Sequence, residues 1–306
     1  MTCEFCASSC FVSHRVREMM FGFLDEFEYL ECKSCGCLRI ASVPENLAKY
    51  YPIDSYYSYK VTQDLRTRLR RIRLRIALNN PRVSRTLGWS MRLNELVWIQ
   101  MFGLERNMRI LDVGSGGASF VRDLRSAGFT GALGLDPFIT NDVQDEDGLV
   151  VKKAHLSEIS EGWDQIMFHH SLEHIADQTG TLQIAREKLS HHGTCLVRIP
   201  LASWAWQRYG TDWVQLDPPR HLCVHTEKSF RLAAEKAGFK VDRVVYDSWE
   251  FQFWGSELYQ KDIPLQTGQT ELEQHFSAAQ LRDFRHRAAE LNSQGLGDQA
   301  IFFLKP

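Results

Sequence analysis

The sequence predicts an α/β fold entered through a small cysteine-rich module, on three observations. Residues 109–113 and 132–135 are short apolar runs that bracket a glycine turn and a helical stretch, the order of a parallel strand–helix–strand unit. Six of the eight cysteines fall within the first 37 residues. The composition, 44% hydrophobic, 24% charged and 11% aromatic over 306 residues, is globular and excludes a disordered, collagen-like or coiled-coil chain. At about 150 residues per domain, the length suits one large domain with an appendage, or two domains. With 36 Lys and Arg against 38 Asp and Glu, the formal charge of -2 supplies no general attraction for nucleic acid or a membrane surface. No apolar run approaches the ~18 residues of a spanning helix. Met1-Thr2-Cys3-Glu4-Phe5-Cys6 lacks the basic start and apolar stretch of a signal peptide. The expectation is a soluble, cytoplasmic protein with no membrane span.

The amino-terminal module, residues 1–43, carries two knuckles, Cys3-Glu4-Phe5-Cys6 and Cys32-Lys33-Ser34-Cys35-Gly36. A C-x-x-C turn presents two thiolates to one tetrahedral ion, and glycine permits the left-handed residue such a turn often needs. Cytosolic chains hold few stable disulfides, so Cys3, Cys6, Cys32 and Cys35 are predicted to bind zinc in a ribbon. Phe21-Gly22-Phe23 and Phe27-Glu28-Tyr29-Leu30 are the expected short strands between the knuckles. Four thiolates leave no open coordination position, so the metal is structural. Cys10, Cys37 and His14 are spare ligands, and Cys195 and Cys223, in apolar surroundings, read as small buried hydrophobes.

Residues 44–104 read as a helical connector rich in arginine. From Leu65 to Asn94 there is no acid, but there are nine arginines: 66, 68, 70, 71, 73, 75, 82, 85 and 92. Leu65, Leu69, Ile72 and Ile76 fall at helical spacing and predict a helix with that stripe buried and a cationic flank. The alternation of Ile72, Leu74 and Ile76 with arginine keeps a strand reading open. The flank suits phosphate, nucleic acid or an anionic surface, and equally a solvated face. Pro81 should end this helix, and residues 93–104 predict another.

Residues 109–113 end a buried parallel strand on Asp112. Gly114-Ser115-Gly116-Gly117 follows, then a helix over 118–127 stopped by Gly128. Glycines belong in such a turn because a cofactor approaches the backbone where a Cβ would collide with it. The second strand ends in Asp136, about 20 residues past the turn, where a ribose-binding acid is expected. The segment therefore predicts a nucleoside-cofactor site.

A dinucleotide fingerprint would place Ser119 at its third glycine, a poor fit. The order here is acid-x-Gly-x-Gly, with Asp112, Gly114 and Gly116. It resembles the first motif of class I S-adenosylmethionine-dependent methyltransferases. His169-His170-Ser171-Leu172-Glu173-His174-Ile175 is similar to the "LEHI" segment of a broad small-molecule group of that family, and Asp217-Pro218-Pro219-Arg220-His221-Leu222 resembles another segment recurring in that group. The resemblance covers about residues 105–306. It implies a Rossmann-like seven-stranded sheet with strands at 149–153, 163–168, 193–199, 241–246 and 297–304, helices at 181–189 and 226–237, and insertions at about 200–225 and 249–296. The terminal strand would be antiparallel. It implies S-adenosyl-L-methionine as cofactor, with Asp112, Gly114, Ser115, Gly116, Gly117, Asp136, Pro137, His155, His169 and His170 around it. With the cysteine pairs, the chain more narrowly resembles zinc-ribbon methyltransferases encoded with bacterial surface-sugar pathways. Three departures stand out: Ala118 replaces a common third glycine, residues 141–148 are short and acidic for a helix after strand two, and His155 stands near where an acid often meets adenine.

A hydroxyl acceptor benefits from a general base, worth roughly 10²–10⁴-fold, and His170, His221 and Glu173 are the catalytic candidates, with His174 beside them. His170-Ser171-Leu172-Glu173-His174 also matches the inverted zinc-protease pattern H-x-x-E-H, but it follows an apolar strand directly. Trp204, Trp206, Tyr209 and Trp213 crowd the first insertion, where flat rings suit a sugar or a nucleobase or else fill a core. The favoured expectation is methyl transfer to a small-molecule acceptor, a hydroxyl of a sugar or sugar nucleotide. The alternatives are an RNA methyltransferase gripping the backbone with its ribbon and arginines, and a non-catalytic scaffold. The acceptor and the oligomeric state stay open.

Overall fold

The computed structural model describes residues 2–52, 65–80, 94–146, 148–265 and 271–306. In chain order the elements are β1 (Phe11–Arg17), β2 (Glu26–Cys32), β3 (Leu38–Ile40), α1 (Leu65–Asn79), α2 (Asn94–Phe102), β4 (Ile110–Val113), α3 (Ser119–Ser126), β5 (Ala132–Leu135), β6 (Val143–Asp145) and β7 (Gly148–Lys152). There follow β8 (Trp163–His169), α4 (Gln178–Lys188), β9 (Leu189–Pro200), α5 (Trp204–Tyr209), β10 (Cys223–Val224), α6 (Glu227–Lys236), β11 (Lys240–Tyr246), α7 (Phe251–Tyr259), α8 (Leu272–His275), α9 (Ala278–Ser293) and β12 (Gln299–Lys305).

The main sheet runs β11-β12-β9-β8-β4-β5-β7-β6. Its β8–β4–β5–β7 stretch is parallel, while β12 is antiparallel to β11 and β6 to β7. All four residues of β4 are buried, as expected of a parallel strand covered on both faces. Strand order reverses at β4, which pairs with β5 on one edge and β8 on the other. Ligands of open α/β sheets bind beyond the carboxyl ends of the strands at such a switch point. Each strand anticipated for this sheet appears within a few residues. In the acidic segment after β5, Val143–Asp145 forms β6, an additional edge strand antiparallel to β7.

The chain divides into two compact units, one of Met1–Pro52, His170–Gln183 and Val197–Pro306, the other of Ile53–His169 and Ile184–Leu196. The first holds a four-stranded sheet, β1-β2-β3-β10, in which Cys223 pairs with Arg39 and Val224 with Leu38. The cysteine module therefore shares its sheet with the segment after Asp217–Leu222. Phe21-Gly22-Phe23, anticipated as a strand, lies in the turn between β1 and β2, held by Glu18, whose carboxylate accepts from the Phe21 and Phe23 amides at 3.0 and 2.9 Å. Two of the four insertion aromatics are core: Trp213 and Tyr209 pack with Tyr29, Leu38 and Phe253, and Trp213 donates to Asp298 at 2.9 Å. Phe253 of α7 stacks on Phe284 of α9 at 5.3 Å, so the second insertion is helical as expected.

In the second unit, α1 is a helix, but the buried stripe differs from the one read from its aliphatic spacing. Leu74 and Ala77 are buried, while Leu69, Ile72 and Ile76 are exposed. The reason is electrostatic: Arg70 and Arg71 turn to the buried Asp123 of α3 at 2.6 and 2.9 Å, and that face carries Leu74 and Ala77 with it. Pro81, Arg82, Arg85 and Arg92, and the side chains of Arg66 and Arg68, lie outside the described residues.

Candidate functional site

The glycine turn begins where β4 ends. Gly114 and Gly116 have positive φ, 76° and 51°, backbone that side-chain-bearing residues rarely adopt. Ala118 also sits left-handed, at φ 63°, and starts α3 without a side-chain cap; the residue standing in for a third glycine adopts a glycine's conformation. The turn is tied to the neighbouring strand: Gly114 and Ser115 amides donate to Leu135 O at 2.7 and 3.2 Å. Gly134 permits this approach, because a Cβ there would lie 2.4 Å from Ser115 Oγ.

Asp136 clasps the turn, with Oδ2 accepting from Gly116 N and Oδ1 from Phe138 N, both at 2.9 Å. Each oxygen keeps a second lone pair for a ribose hydroxyl. Asp112 is buried, and its Oδ1, like Ser115 Oγ, has no hydrogen-bond partner among the described residues. Burial, with the Asp136 charge behind it, pushes the Asp112 carboxyl up to about 7. Orphaned buried polar atoms in a glycine-lined turn are what a polar cofactor would satisfy. Asp112, Gly114, Ser115, Gly116, Gly117, Asp136 and Pro137 thus lie along one strand–turn–helix and the end of the adjacent strand. His169 closes β8 with its ring 4.8 Å from Trp98 and stacked 5.8 Å from Phe120. His155 is exposed at the start of a short 3-10 turn, its amide donating to Glu158 at 2.6 Å.

The other unit gathers the catalytic candidates. His170, left-handed at φ 54°, follows β8 and donates its amide to Arg198 O at 2.9 Å. Its Nδ1 stands 3.4 Å from Glu173 Oε1, within ion-pair range but outside hydrogen-bond geometry. Glu173 is 2% exposed, and neither oxygen has a hydrogen-bond partner among the described residues. His174 and His221 face each other with ring centroids 4.8 Å apart. Their Nδ1 atoms bond to Arg220 O at 2.9 Å and Gln215 O at 2.8 Å. Burial, then the nearby His221, holds His174 down to about 4, and burial and Arg198 hold His170 well below its ordinary value. Both rings are therefore neutral near pH 7.

Arg220 itself is structural. It is fully buried, bonded to Asp217 at 2.5 and 2.9 Å, to Glu18 at 2.8 Å and to Tyr50 O at 3.0 Å, above the Phe21 ring. Glu18 and Tyr51 were not legible beforehand as part of this centre, since nothing local in sequence marks a buried acid or a tyrosine whose hydroxyl lies 3.2 Å from His174 Nδ1.

Cys3, Cys6, Cys32 and Cys35 converge, with all four Sγ atoms within 4.8 Å of one another. Cys3–Cys35 and Cys6–Cys32 are 3.6 and 3.5 Å apart. Cys37 is also close, 3.7 Å from Cys3 and 3.5 Å from Cys35. Cys10 is exposed, and His14 is engaged with Glu31 at 2.9 Å. Cys195 and Cys223 are buried.

Among the described residues no helix is long and apolar enough to cross a membrane. No curated protein matches the sequence. Among solved structures, an S-adenosylmethionine-dependent methyltransferase from Archaeoglobus fulgidus is similar at 16% identity and TM-score 0.44, over 70% of this chain and 94% of that one. A cyclopropane synthase from Mycobacterium tuberculosis is similar at 16% identity and TM-score 0.42, over 66% and 79%. An O-methyltransferase from Brevibacillus brevis, in complex with S-adenosyl-L-homocysteine, is similar at 13% identity and TM-score 0.42, over 76% and 78%. The family model described as "methyltransferase domain" matches residues 63–244, more than half of the chain, from α1 into β11, a stretch that holds the glycine turn, Asp136 and the histidine cluster. The chain belongs to that family and is a methyltransferase.

Proposed function

We propose that the enzyme methylates a hydroxyl of a small molecule, a sugar or nucleotide-linked sugar of surface-polysaccharide or related biosynthesis, and that the four-cysteine cluster holds a structural zinc ion. The observation that carries the oxygen acceptor is the polar cluster of half-buried His170 and His174 with buried Glu173 and His221. A hydroxyl must lose its proton as it attacks, and this cluster offers neutral imidazoles and a carboxylate with lone pairs to spare. The donor supplies a methyl group already activated by its positive sulfur, so the chain's task is alignment and proton removal. Asp136 would hold the ribose hydroxyls of that donor, and Asp112 and Ser115, beside Gly114, Gly116 and Gly117, would seat the remainder, with Pro137, His155 and His169 around the base. His170 takes the acceptor proton, and Glu173 and His221 orient the hydroxyl. Transfer would form the oxygen–carbon bond as the donor's carbon–sulfur bond breaks, the electron pair of that bond returning to the sulfur.

The cysteine geometry supports zinc. A tetrahedron with ~2.3 Å arms has edges of roughly 3.8 Å, near the spacings observed. Burial pushes the Cys35 thiol up to about 12, so thiolate there needs a cation. The engagement of Arg70 and Arg71 with Asp123, and the charge of -2, favour a small acceptor over RNA. Incubation with isotopically labelled donor and separate pools of sugar nucleotides, RNA and protein tests the reading. Label is expected in the sugar-nucleotide pool; label confined to RNA or protein would overturn it.

A further inference from the structure

The buried carboxylate of Glu173 poses a question that proton transfer alone leaves open. It is 2% exposed, and neither oxygen has a hydrogen-bond partner among the described residues. Such a group requires a compensating charge. Two imidazoles stand beside it: one ligand-capable atom from each of Glu173, His174 and His221 lies within 4.8 Å of the others.

The surroundings fix the rings in one state. With Nδ1 protons donated to Arg220 O and Gln215 O, both histidines carry their lone pairs on Nε2. A carbonyl accepting the distal N–H is the usual support of a metal-bound imidazole. Asp217 does not compete for His221, because its oxygens are committed to Arg220 at 2.5 and 2.9 Å and its Oδ2 stands 3.9 Å from His221 Nε2. The two segments are pinned together as well, since Leu222 N donates to Glu173 O at 2.8 Å.

We propose that Glu173, His174 and His221 form a second metal centre, separate from the cysteine cluster, which holds a divalent transition metal through two imidazole nitrogens and one carboxylate. This donor set suits zinc, iron, cobalt or nickel over magnesium or calcium, which prefer oxygen ligands. Three protein ligands leave positions open. An acceptor oxygen in one of them has its proton loosened, so that even a weak base such as His170 suffices; that use rests on the proposed hydroxyl methylation, whereas metal binding does not.

Protein stripped with chelator and titrated with cobalt(II) tests this by absorption spectroscopy and elemental analysis. The wild type is expected to take two equivalents. One gives the near-ultraviolet charge-transfer band of thiolate ligands, and the other gives ligand-field bands without it. Glu173→Gln and His221→Ala should each remove the second equivalent and retain the thiolate band, which also reports that the variant is folded. Cys32→Ser should do the reverse. On wild-type protein alone, bound metal should protect His174 and His221 from acylation by diethyl pyrocarbonate, mapped by mass spectrometry. A single equivalent in the wild type, a second one that survives both substitutions, or the absence of protection overturns the proposal. Donor binding measured on the same samples by calorimetry, with product analysis, separates failures. Two equivalents without hydroxyl methylation defeat the functional reading alone, and one equivalent with it defeats the metal centre alone.

Discussion

Two carboxylates at the ends of adjacent strands behave oppositely because their neighbours differ. Asp136 is satisfied by two backbone amides, whereas Asp112 has an oxygen without a partner and is pushed up to about 7. Replacing Asp136 by Asn preserves the shape of the clasp and removes the charge. Losing a charge-assisted bond worth about 1.5–3 kcal/mol should weaken S-adenosylmethionine binding by roughly 10–100-fold in calorimetry. For Asp112 the sign follows from linkage. Its folded-state value lies above its unfolded one, so the donor-free native state binds more protons between about pH 4 and 7. The contribution of this group to stability is full below that window and lost as pH rises through it. Asp112→Asn should therefore raise the melting temperature relative to wild type at pH 8 and change it little at pH 4. Equal shifts at both pH values would refute the buried, unpartnered carboxyl.

At the scale of elements, helix α1 shows an ion pair overriding aliphatic spacing. Three aliphatic residues at helical intervals face outward because the partly buried arginines on the other face meet a buried acid. Asp123→Ala should lower stability by roughly 1–3 kcal/mol, read from the urea midpoint, since it leaves two guanidinium groups without their acceptor. Strand β5 sets the glycine turn by lacking a side chain at Gly134. Gly134→Ala places a methyl carbon 2.4 Å from Ser115 Oγ and 3.1 Å from Val151 Cγ2. Overpacking of this kind costs about 1–3 kcal/mol, and here the displaced group belongs to the cofactor turn. Donor affinity should fall along with stability; a loss of stability with unchanged affinity would disconnect the turn from binding.

At the scale of the whole molecule, the cysteine module is woven into the unit that carries the histidine cluster. β3 pairs with β10, Thr226 donates to Cys35 O at 2.6 Å, and Glu18 meets Arg220 at 2.8 Å. Metal removal should therefore disturb more than the knuckles. Hydrogen exchange after chelation is expected to accelerate in β10 and α6 as well as in residues 2–40; acceleration confined to 2–40 would show an independent module.

Sequence alone determined the parallel strands, the glycine turn with its two acids and the cysteine quartet, because each depends on local pattern: apolar runs, positive-φ glycine and two-residue thiol spacing. Tertiary structure decided the rest. It chose the buried face of α1, sent Trp213 to Asp298, joined Cys223 to the amino-terminal sheet and brought Glu18 to Arg220 across 202 residues. Those outcomes come from pairing charges and filling volume between segments far apart in the chain, and no local spacing encodes which distant partner will be there.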